Sequence, residues 1–445
     1  MPIEFVLAAI VAGIALLLVC IIYLKIPAFP ALLLTSILVG LLAGLPPNDL
    51  LQSIKNGMGG TLGFVAIVVG LGAMFGRLLE VSGGIGVLAT TLLKRFGESK
   101  APWALGILGF IVAIPVFFDV GFVILVPLIA GMSRKSGRPI LYYAIPLLAG
   151  LAVTHSFIPP TPGPIAVADL LGADLGWVIL FGALAGLPAM IIAGPLFGKK
   201  IAEIIPKTAE TIPELNKTNI AQPPGFWLIS GMIALPLLLI LLNTVSTFVL
   251  GNTHPVAELF SFIGHPFIAL LIATLLIIFY ANRLEGYTKE SINAIATAAL
   301  EPAGIIILVT GAGGVFKQVL IDSGAGKIIA ESLVSYALSP IFLAFIIAAI
   351  IRVVQGSATV AMITAAGLLS PILAGTELSA PQMALVVIAI SAGATILSHV
   401  NDSGFWLVSR FLNLDERETI KSWTVMTTLI GVCAFISVYV LSLLV

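Results

Sequence analysis

Two charged residues interrupt long apolar runs of this sequence, and their types fit the recognition of a small anion. Asp119 lies midway through one run and Arg352 midway through another. A charge at such a depth in a bilayer costs about 2.5–3.5 kcal/mol, so it is retained where it is functional, paired or wetted. Arg352 is either the counter-charge of an anionic substrate or the ion-pair partner of Asp119 or Asp402. Asp119 is either functional or a structural hydrogen-bonding group.

The second interruption also carries glycine and hydroxyl residues that can open a helix. Gly356 precedes Ser357 and Thr359, and Gly121 occupies a similar place in the first run. Free backbone N–H groups at a helix start form a ready anion site. Hydroxyls in apolar helices usually bond to their own turn and would not by themselves indicate a site. Gly356 and the break in the apolar run favour anion binding here. We predict that these four residues bind a substrate carboxylate. Arg352 joins them if it is the counter-charge of an anionic substrate.

Two histidines stand at breaks in two further apolar runs. His155 precedes a segment with four prolines in six residues, which cannot continue a helix. His399 lies beside Asn401 and Asp402. A lone histidine in a membrane helix often bonds only to a neighbouring helix, but two at matching breaks favour a polar cavity. The residues predicted to bind substrate hydroxyls are His155, Ser156, Thr161, His399 and Asn401, and Gly163 and Ser403 are predicted as further substrate-binding residues.

The composition places these residues in a membrane protein. The chain has 445 residues, of which 59% are apolar and 9% are charged, with a formal net charge of zero. Soluble domains carry roughly 25% charged residues, whereas several apolar runs here match a bilayer core of roughly 30 Å. Soluble enzymes, secreted disulfide scaffolds and disordered chains are excluded, and no basic footprint indicates nucleic acid. Cys20 and Cys433 are isolated thiols, and we predict no metal and no cofactor.

Four apolar stretches do not fit single membrane-spanning helices. Residues 101–131 and 340–373 are too long for one crossing of about 20 residues and too short for two. We predict re-entrant hairpins there, because irregular backbone at membrane depth survives only where protein or water satisfies it. Residues 140–170 and 382–411 are predicted to be helices broken near the middle.

The two halves of the chain repeat each other around a polar linker at residues 199–223, which is predicted to be cytoplasmic. A slide of 241 residues sets Gly70–Gly83 on Gly311–Gly324 with six identities in fourteen positions. We predict an N-terminal repeat at 1–198 and a C-terminal repeat at 224–445. Each repeat has five transmembrane helices, one re-entrant hairpin and one broken helix. Because five is odd, the second repeat has inverted topology, which points to a binding site near the membrane midplane.

Positive charge gives the orientation of this all-α, polytopic membrane protein. With the N-terminus outside, 16 of the 21 Lys and Arg residues fall in cytoplasmic segments, as the positive-inside rule requires. Both termini are therefore predicted to lie outside the cell.

Two carboxylates are candidates for coupling a proton to transport of an anion. Moving one net charge against 100 mV costs about 2.3 kcal/mol, so accumulation of an anion needs a co-transported cation. Asp119 is the first candidate, because burial and an arriving anion both favour the protonated form of a carboxylate. Asp402, with His399 beside it, is the second. The alternative is a Na⁺-coupled carrier in which Asp119 is only a ligand.

Six segments together resemble the gluconate permease family, a family of proton-coupled transporters within the ion transporter superfamily. They are Gly59–Gly63, Phe118–Phe122, Thr154–Pro164, Gly311–Gly324, Gly356–Ala361 and Ser398–Trp406, spread over essentially the whole chain. The resemblance implies uptake of a sugar acid such as gluconate with protons across the bacterial inner membrane. The wider superfamily implies a homodimer with a fixed scaffold and a moving domain that carries the hairpins. The family pattern often has histidine at Thr161 and glutamate at Asp119, which leaves the substrate open.

Several rivals stand beside symport of a sugar acid. Within the family, the substrate can be another small hydroxy or amino acid such as D-serine or D-glycerate. An ion channel would need a continuous pore with repeated rings of ligands. An intramembrane enzyme is disfavoured, because the sequence has no His-Glu-x-x-His or Gly-x-Ser-x-Gly motif.

Overall fold

The computed structural model describes residues 12–208, 224–323 and 339–445, apart from residues 14, 18, 21, 22, 252, 285, 374, 375, 400 and 401. For Val354 and Gln355 only the backbone is described. All regular elements among these residues are helical. Six of the described helices are long and apolar enough to cross a membrane, or seven if the bent pair Pro255–Ile263 and Pro266–Ala281 forms one span. The protein is therefore an all-helical, multi-pass membrane protein.

Nine helices precede the linker, and their ends follow ordinary capping signals. They are α1 (Ala28–Leu42), α2 (Pro47–Val81), α3 (Gly84–Phe96), α4 (Ala101–Val112), α5 (Phe118–Ser136), α6 (Leu141–Phe157), α7 (Pro162–Leu171), α8 (Leu175–Ile191) and α9 (Phe197–Ile204) among the described residues. Prolines open α2 and α7, where a missing N–H costs no helical hydrogen bond. Gly137 and Gly172 end α5 and α7 with positive φ, a conformation that carries a penalty for residues with a Cβ.

Eleven helices follow the linker within the described part of the chain. They are α10 (Phe226–Leu250), α11 (Pro255–Ile263), α12 (Pro266–Ala281), α13 (Lys289–Ala298), α14 (Leu300–Asp322), α15 (Pro340–Gln355), α16 (Ala358–Leu373), α17 (Ala380–Gly393), α18 (Ser403–Phe411), α19 (Glu416–Thr419) and α20 (Val425–Ser442). One π-helical turn joins α8 to α9 at Ile192–Leu196, and another joins α19 to α20 at Ile420–Thr424.

Four helix interruptions lie within apolar parts of the chain. Residues 113–117 separate α4 from α5, and Gly356 with Ser357 separates α15 from α16. Residues 158–161 separate α6 from α7, and residues 394–402 separate α17 from α18. The φ angle of Gly356 is 91°, which glycine adopts without a Cβ penalty. The interruptions expose backbone groups that unbroken helices would satisfy internally.

Close backbone contacts at glycines hold these helices together. α2 packs along α14, and a Cβ on Gly57 would lie 2.6 Å from a carbonyl oxygen of α14. α4 packs on α6 over Gly150, and α15 packs on α17 over Gly393. Small residues permit such approach between membrane helices. A Cβ on Gly76 of α2 would lie 1.9 Å from the Pro115 carbonyl oxygen, so α2 directly supports the break between α4 and α5.

Candidate functional site

A cavity of about 520 Å³ lies where the first turns of α5, α16 and α18 meet. Its polar lining is Asp119, His155, Ser156, Arg352, Ser357, Thr359, Thr395, Asp402, Ser403 and Thr427. Its apolar wall comes largely from α14, through Pro302, Ile305, Ile306 and Val309, and from Phe117, Phe118 and Trp423. An apolar cavity with a few convergent polar groups is typical of a site for a small molecule.

Eight of the fourteen residues predicted from the sequence line this cavity. They are Asp119, His155, Ser156, Arg352, Ser357, Thr359, Asp402 and Ser403. Asn401 lies outside the described residues. The sequence analysis did not select Thr395, Trp423 or Thr427, because they stand in or beside ordinary apolar helices without a motif to mark them.

The other five predicted residues lie outside the cavity lining and have local contacts. Thr161 Oγ1 donates to the carbonyl oxygen three residues earlier at 2.6 Å. His399 Nε2 is 2.9 Å from a backbone carbonyl oxygen of α15. A Cβ on Gly121 would meet a leucine side chain of α6 at 3.0 Å, and one on Gly163 would meet a methionine sulfur of α16 at 2.8 Å. Gly356 ends α15, and its N–H donates to the Arg352 carbonyl oxygen at 2.9 Å.

Arg352 and Asp402 form a buried ion pair at the edge of the cavity. Nη2 of Arg352 is 2.6 Å from Oδ2 of Asp402, and the two side chains are 3% and 13% exposed. Nε and Nη1 of Arg352 are buried and have no hydrogen-bond partner among the described residues. A guanidinium has five N–H donors, so this pair satisfies only part of its capacity. Of the interpretations of Arg352, the structure shows the ion pair with Asp402.

Asp402 receives hydrogen bonds from three directions. Besides Arg352, the Ser398 hydroxyl donates to Oδ2, and the Gly404 N–H donates to Oδ1 at 3.1 Å. Trp423 Nε1 in turn donates to Ser398 Oγ at 2.6 Å. Asp402 is the N-cap of α18, a position where a carboxylate is favoured by the exposed N–H groups of the first turn. This side of the cavity is a continuous hydrogen-bonded network.

The cavity lining also includes polar groups without a partner among the described residues. Asp119 in the first turn of α5 is exposed and makes no hydrogen bond or ion pair within the described part of the chain. Nδ1 of His155 at the end of α6 is buried and also lacks a partner among the described residues. The Phe118 ring lies 6.4 Å from the His155 ring and 5.3 Å from the Trp423 ring.

Comparison with known proteins decides the family. The model of the GntP family of permeases matches residues 5–444. This chain belongs to that family. It is 41% identical over 423 residues to the low-affinity gluconate transporter of Escherichia coli K12, covering 95% of this chain and 94% of the relative. It is 40% identical over 432 residues to the Gnt-II system L-idonate transporter of the same organism, covering 97% and 98%.

Membership of the GntP family makes this protein a transport protein of the inner membrane and not an enzyme. A gluconate permease of Pseudomonas aeruginosa is 39% identical over 430 residues, covering 96% of this permease and 95% of the relative. The Alcanivorax borkumensis YdaH transporter has the same fold, with a TM-score of 0.60 at 18% identity over 89% of this chain and 88% of that one.

Proposed function

We propose that this permease is a secondary active symporter that carries gluconate or a related small sugar acid into the cell together with protons. The observation that carries this proposal is the buried Arg352 guanidinium, whose Nε and Nη1 have no partner among the described residues. Arginine is suited to carboxylates because its planar fork binds both oxygens. The relatives named as gluconate and L-idonate transporters support a sugar acid. D-serine and D-glycerate are alternative substrates, and Na⁺ is the alternative coupling ion.

The cavity has one end for a carboxylate and one for hydroxyl groups in this proposal. Arg352 and the start of α16, with Ser357 and Thr359, take the carboxylate, because a helix N-terminus carries a positive dipole and free N–H groups. His155 and Ser156 take hydroxyl groups on the other side. A volume of about 520 Å³ lies within the range of roughly 300–1,000 Å³ for small-molecule sites.

Asp402 is the better placed of the two carboxylates for proton coupling. Coupling requires that protonation and substrate occupancy favour each other. Asp402 is 2.6 Å from Arg352, so its ionised form competes with a substrate carboxylate for the same guanidinium. Protonation removes that competition. Asp119, which the sequence ranks first, has no such contact with a cation, and we propose it as a secondary proton site that faces the cavity.

Transport by reconstituted protein tests this function directly. Proteoliposomes loaded at neutral pH and placed in acidic medium should concentrate labelled gluconate, and a sodium gradient alone should not. Vesicles preloaded with unlabelled gluconate should take up label faster than empty ones, which a channel would not do. A screen of L-idonate, D-glycerate and D-serine as competitors would rank the substrates. Accumulation driven only by a sodium gradient would show that Na⁺ is the coupling ion. Recovery of chemically altered gluconate would indicate an enzyme.

We further propose that the two halves form inverted repeats with both termini outside. Two matched packing pairs support this: α4 on α6 against α15 on α17, and α5 with α18 against α16 with α7. Lys135, at the end of α5, should then face the cytoplasm, and Ser339, before α15, the outside. Single cysteines at these two positions, in a Cys20→Ala/Cys433→Ala background, should react with impermeant reagents from opposite sides. Reaction of both from one side would contradict the inverted arrangement.

A homodimer completes the proposal. Only 22% of the most apolar stretch of α10 is buried, so this helix offers a face to lipid or to a second copy. Cysteines introduced along α10 should cross-link between subunits at helical spacing if that face is the dimer interface. A monomeric mass in detergent and in nanodiscs would contradict the dimer without affecting the transport proposal.

A further inference from the structure

Ser398 links the Asp402 carboxylate to Trp423, in the turn before α20, and does not itself line the cavity. Ser398 is completely buried, and it is absent from the cavity lining. Its N–H donates to Thr427 Oγ1 at 3.4 Å, and its carbonyl oxygen accepts from Thr424 Oγ1. The backbone on either side of this serine is irregular, so these bonds to α20 and the turn before it fix its position. Ser398 is therefore placed to act on Asp402 and not on a substrate.

The direction of the hydrogen bonds in this chain is determined by chemistry. An indole N–H can only donate, and Trp423 Nε1 lies 2.6 Å from Ser398 Oγ. The serine oxygen therefore accepts from Trp423, and its own proton is free to point to Asp402 Oδ2. A donor aimed at a carboxylate favours its ionised form. The tryptophan thus orients the serine so that it stabilises the Asp402 anion.

We propose that Ser398, oriented by Trp423, is a positioning residue for proton coupling. It holds Asp402 ionised and in contact with Arg352 until a proton arrives from the cavity. The proton adds to Oδ2, Asp402 then donates to the serine oxygen, and the serine hydroxyl proton rotates away. Arg352 loses its acceptor and becomes available to a substrate carboxylate. This inference rests on the proposed function, since it assumes that a proton and an anion travel together.

The other charged groups around Asp402 come from separate elements. Arg352 approaches from α15, Asp119 from α5 and His155 from α6, while His399 lies in the same break as Ser398. Trp423, Thr424 and Thr427 add uncharged groups to this cluster, whereas Lys421 of the same segment is exposed and lies outside the cavity lining. Removing the Ser398 hydroxyl leaves all these charges in place. A change in the pH dependence of Asp402 in that variant therefore reports loss of the Ser398 hydroxyl, with its bond from Trp423, and not a change in the surrounding charges.

A substrate-free infrared titration tests the inference independently of transport. In purified full-length protein, the carbonyl band of protonated Asp402 is identified as the band lost in Asp402→Asn. In Ser398→Ala this band should form at a pH higher by about one unit, because one hydrogen bond to the charged form is lost. Trp423→Phe keeps a ring beside Phe118 and should shift the band the same way by less. Ser398→Thr retains the hydroxyl and should restore the wild-type titration.

Matched controls separate positioning from folding. Ser409→Ala removes another buried serine hydroxyl, which donates only to the Leu414 carbonyl oxygen, and Trp177→Phe changes a tryptophan that packs on Phe181 and Phe248. Neither should move the Asp402 band. An unchanged band in Ser398→Ala, or an equal shift in Ser409→Ala, would overturn the role of Ser398. Failure of the wild type to transport any sugar acid would instead remove the proposed function and leave this titration valid.

The same variants give a second readout in gluconate binding. The pH at which labelled gluconate binds half-maximally should move upward in Ser398→Ala by about the same one unit, while affinity at saturating acidity stays at the wild-type value. A purely structural role would lower affinity at all pH values. That outcome would contradict a positioning role.

Discussion

The two halves of the chain contribute unlike groups to the same cavity. From the second half, Arg352, Asp402, Ser398 and Trp423 form a connected set of hydrogen bonds. From the first half, Asp119 is exposed and His155 has a buried Nδ1, and neither group has a partner among the described residues. The interruptions in the two halves therefore carry different chemistry.

This difference divides the work of the site. The connected network of the second half holds its charges in one geometry. A carboxylate that must respond to a single proton, such as Asp402, requires this. A buried polar group without a partner costs free energy until a ligand satisfies it, which suits the buried Nδ1 of His155 to the selection of a substrate. We infer that the second half couples the proton and binds the substrate carboxylate, and that the first half selects among acids by their hydroxyl groups. The following predictions test this division, from the largest expected effect to the smallest.

Replacing Arg352 should have the largest effect on substrate binding. Arg352→Gln removes the donors at Nε and Nη1, and two hydrogen bonds to a charged group are together worth roughly 3–6 kcal/mol. Gluconate affinity measured by equilibrium binding should fall by roughly 150- to 25,000-fold. Arg77→Gln is the matched control, because Arg77 pairs with Glu80 of its own helix and its side chain is 46% exposed.

Loss of folding must be separated from loss of binding in that experiment. Removing one partner of a buried pair costs roughly 3–5 kcal/mol of stability. The double variant Arg352→Gln/Asp402→Asn removes both charges, so its thermal unfolding should recover toward the wild type while gluconate binding stays weak. Recovery of binding together with stability would show that Arg352 acts on the fold and not on the substrate.

The start of α16 should contribute the second largest share of binding. Ser357 Oγ accepts from the Val360 N–H at 3.4 Å. This is a long, weak bond that a substrate carboxylate can replace. Ser357→Ala combined with Thr359→Val should weaken gluconate binding by about 3 kcal/mol, since each hydroxyl bond to a charged group is worth roughly 1.5–3 kcal/mol. Unchanged affinity in the folded double variant would remove this end of α16 from the site.

A matched pair of carboxylate variants tests where coupling lies. Asp402→Asn mimics the protonated form, so exchange of labelled gluconate should persist while accumulation driven by a pH gradient is lost. With one proton per anion, that loss is about tenfold in accumulation for each pH unit of the imposed gradient. Asp119→Asn should retain accumulation. The opposite result, with accumulation lost only in Asp119→Asn, would assign coupling to the first half, as the sequence alone predicts.

The family and the all-helical, multi-pass membrane class were both predictable from the sequence. The 9% charged composition required a membrane protein, and six segments such as Phe118–Phe122 and Ser398–Trp406 identified the family, which the family model confirms. These features are local in sequence. Helix interruptions are also marked locally, because prolines, glycines and polar residues disrupt apolar runs.

The contacts within the site were less predictable, because they depend on how distant segments pack. Thr161 stands in the most conspicuous proline-rich break, yet its hydroxyl bonds to its own turn. Trp423 stands in an ordinary apolar run, yet it orients Ser398 from 25 positions away. The pairing of Arg352 with Asp402 was one of three alternatives, since charge alone does not decide between partners. Only the three-dimensional packing of α15 against the break before α18 separates them.

The first-half histidine should give a smaller, substrate-dependent effect. A hydrogen bond between neutral groups contributes roughly 0.5–1.5 kcal/mol, so His155→Ala should weaken gluconate binding by about fivefold. Because His155 is assigned to hydroxyl recognition, the same variant should bind a short acid such as D-glycerate with little change. An equal loss for both acids would contradict the selective role of the first half.

An exposed ion pair gives the smallest expected effect and a reference for the buried one. Lys135 Nζ is 2.9 Å from Glu98 Oε1, with side chains 79% and 81% exposed. The hydrogen bond and charge of Lys135 hold the pKa of Glu98 below its usual value. A depressed carboxyl pKa contributes stability above the unfolded-state pKa, and that contribution is lost as the pH falls through the folded-state pKa.

Solvent screening should make that contribution too small to measure. We expect Glu98→Gln to leave the thermal unfolding midpoint unchanged between about pH 3.5 and pH 7, a range that spans the usual titration of glutamate. Asp402→Asn, measured alongside, should change the midpoint, because its partner Arg352 is 3% exposed and keeps its charge. Equal shifts in both variants would mean that the Arg352–Asp402 pair is as well solvated as the surface pair, and competition for a desolvated guanidinium could not then couple proton to substrate.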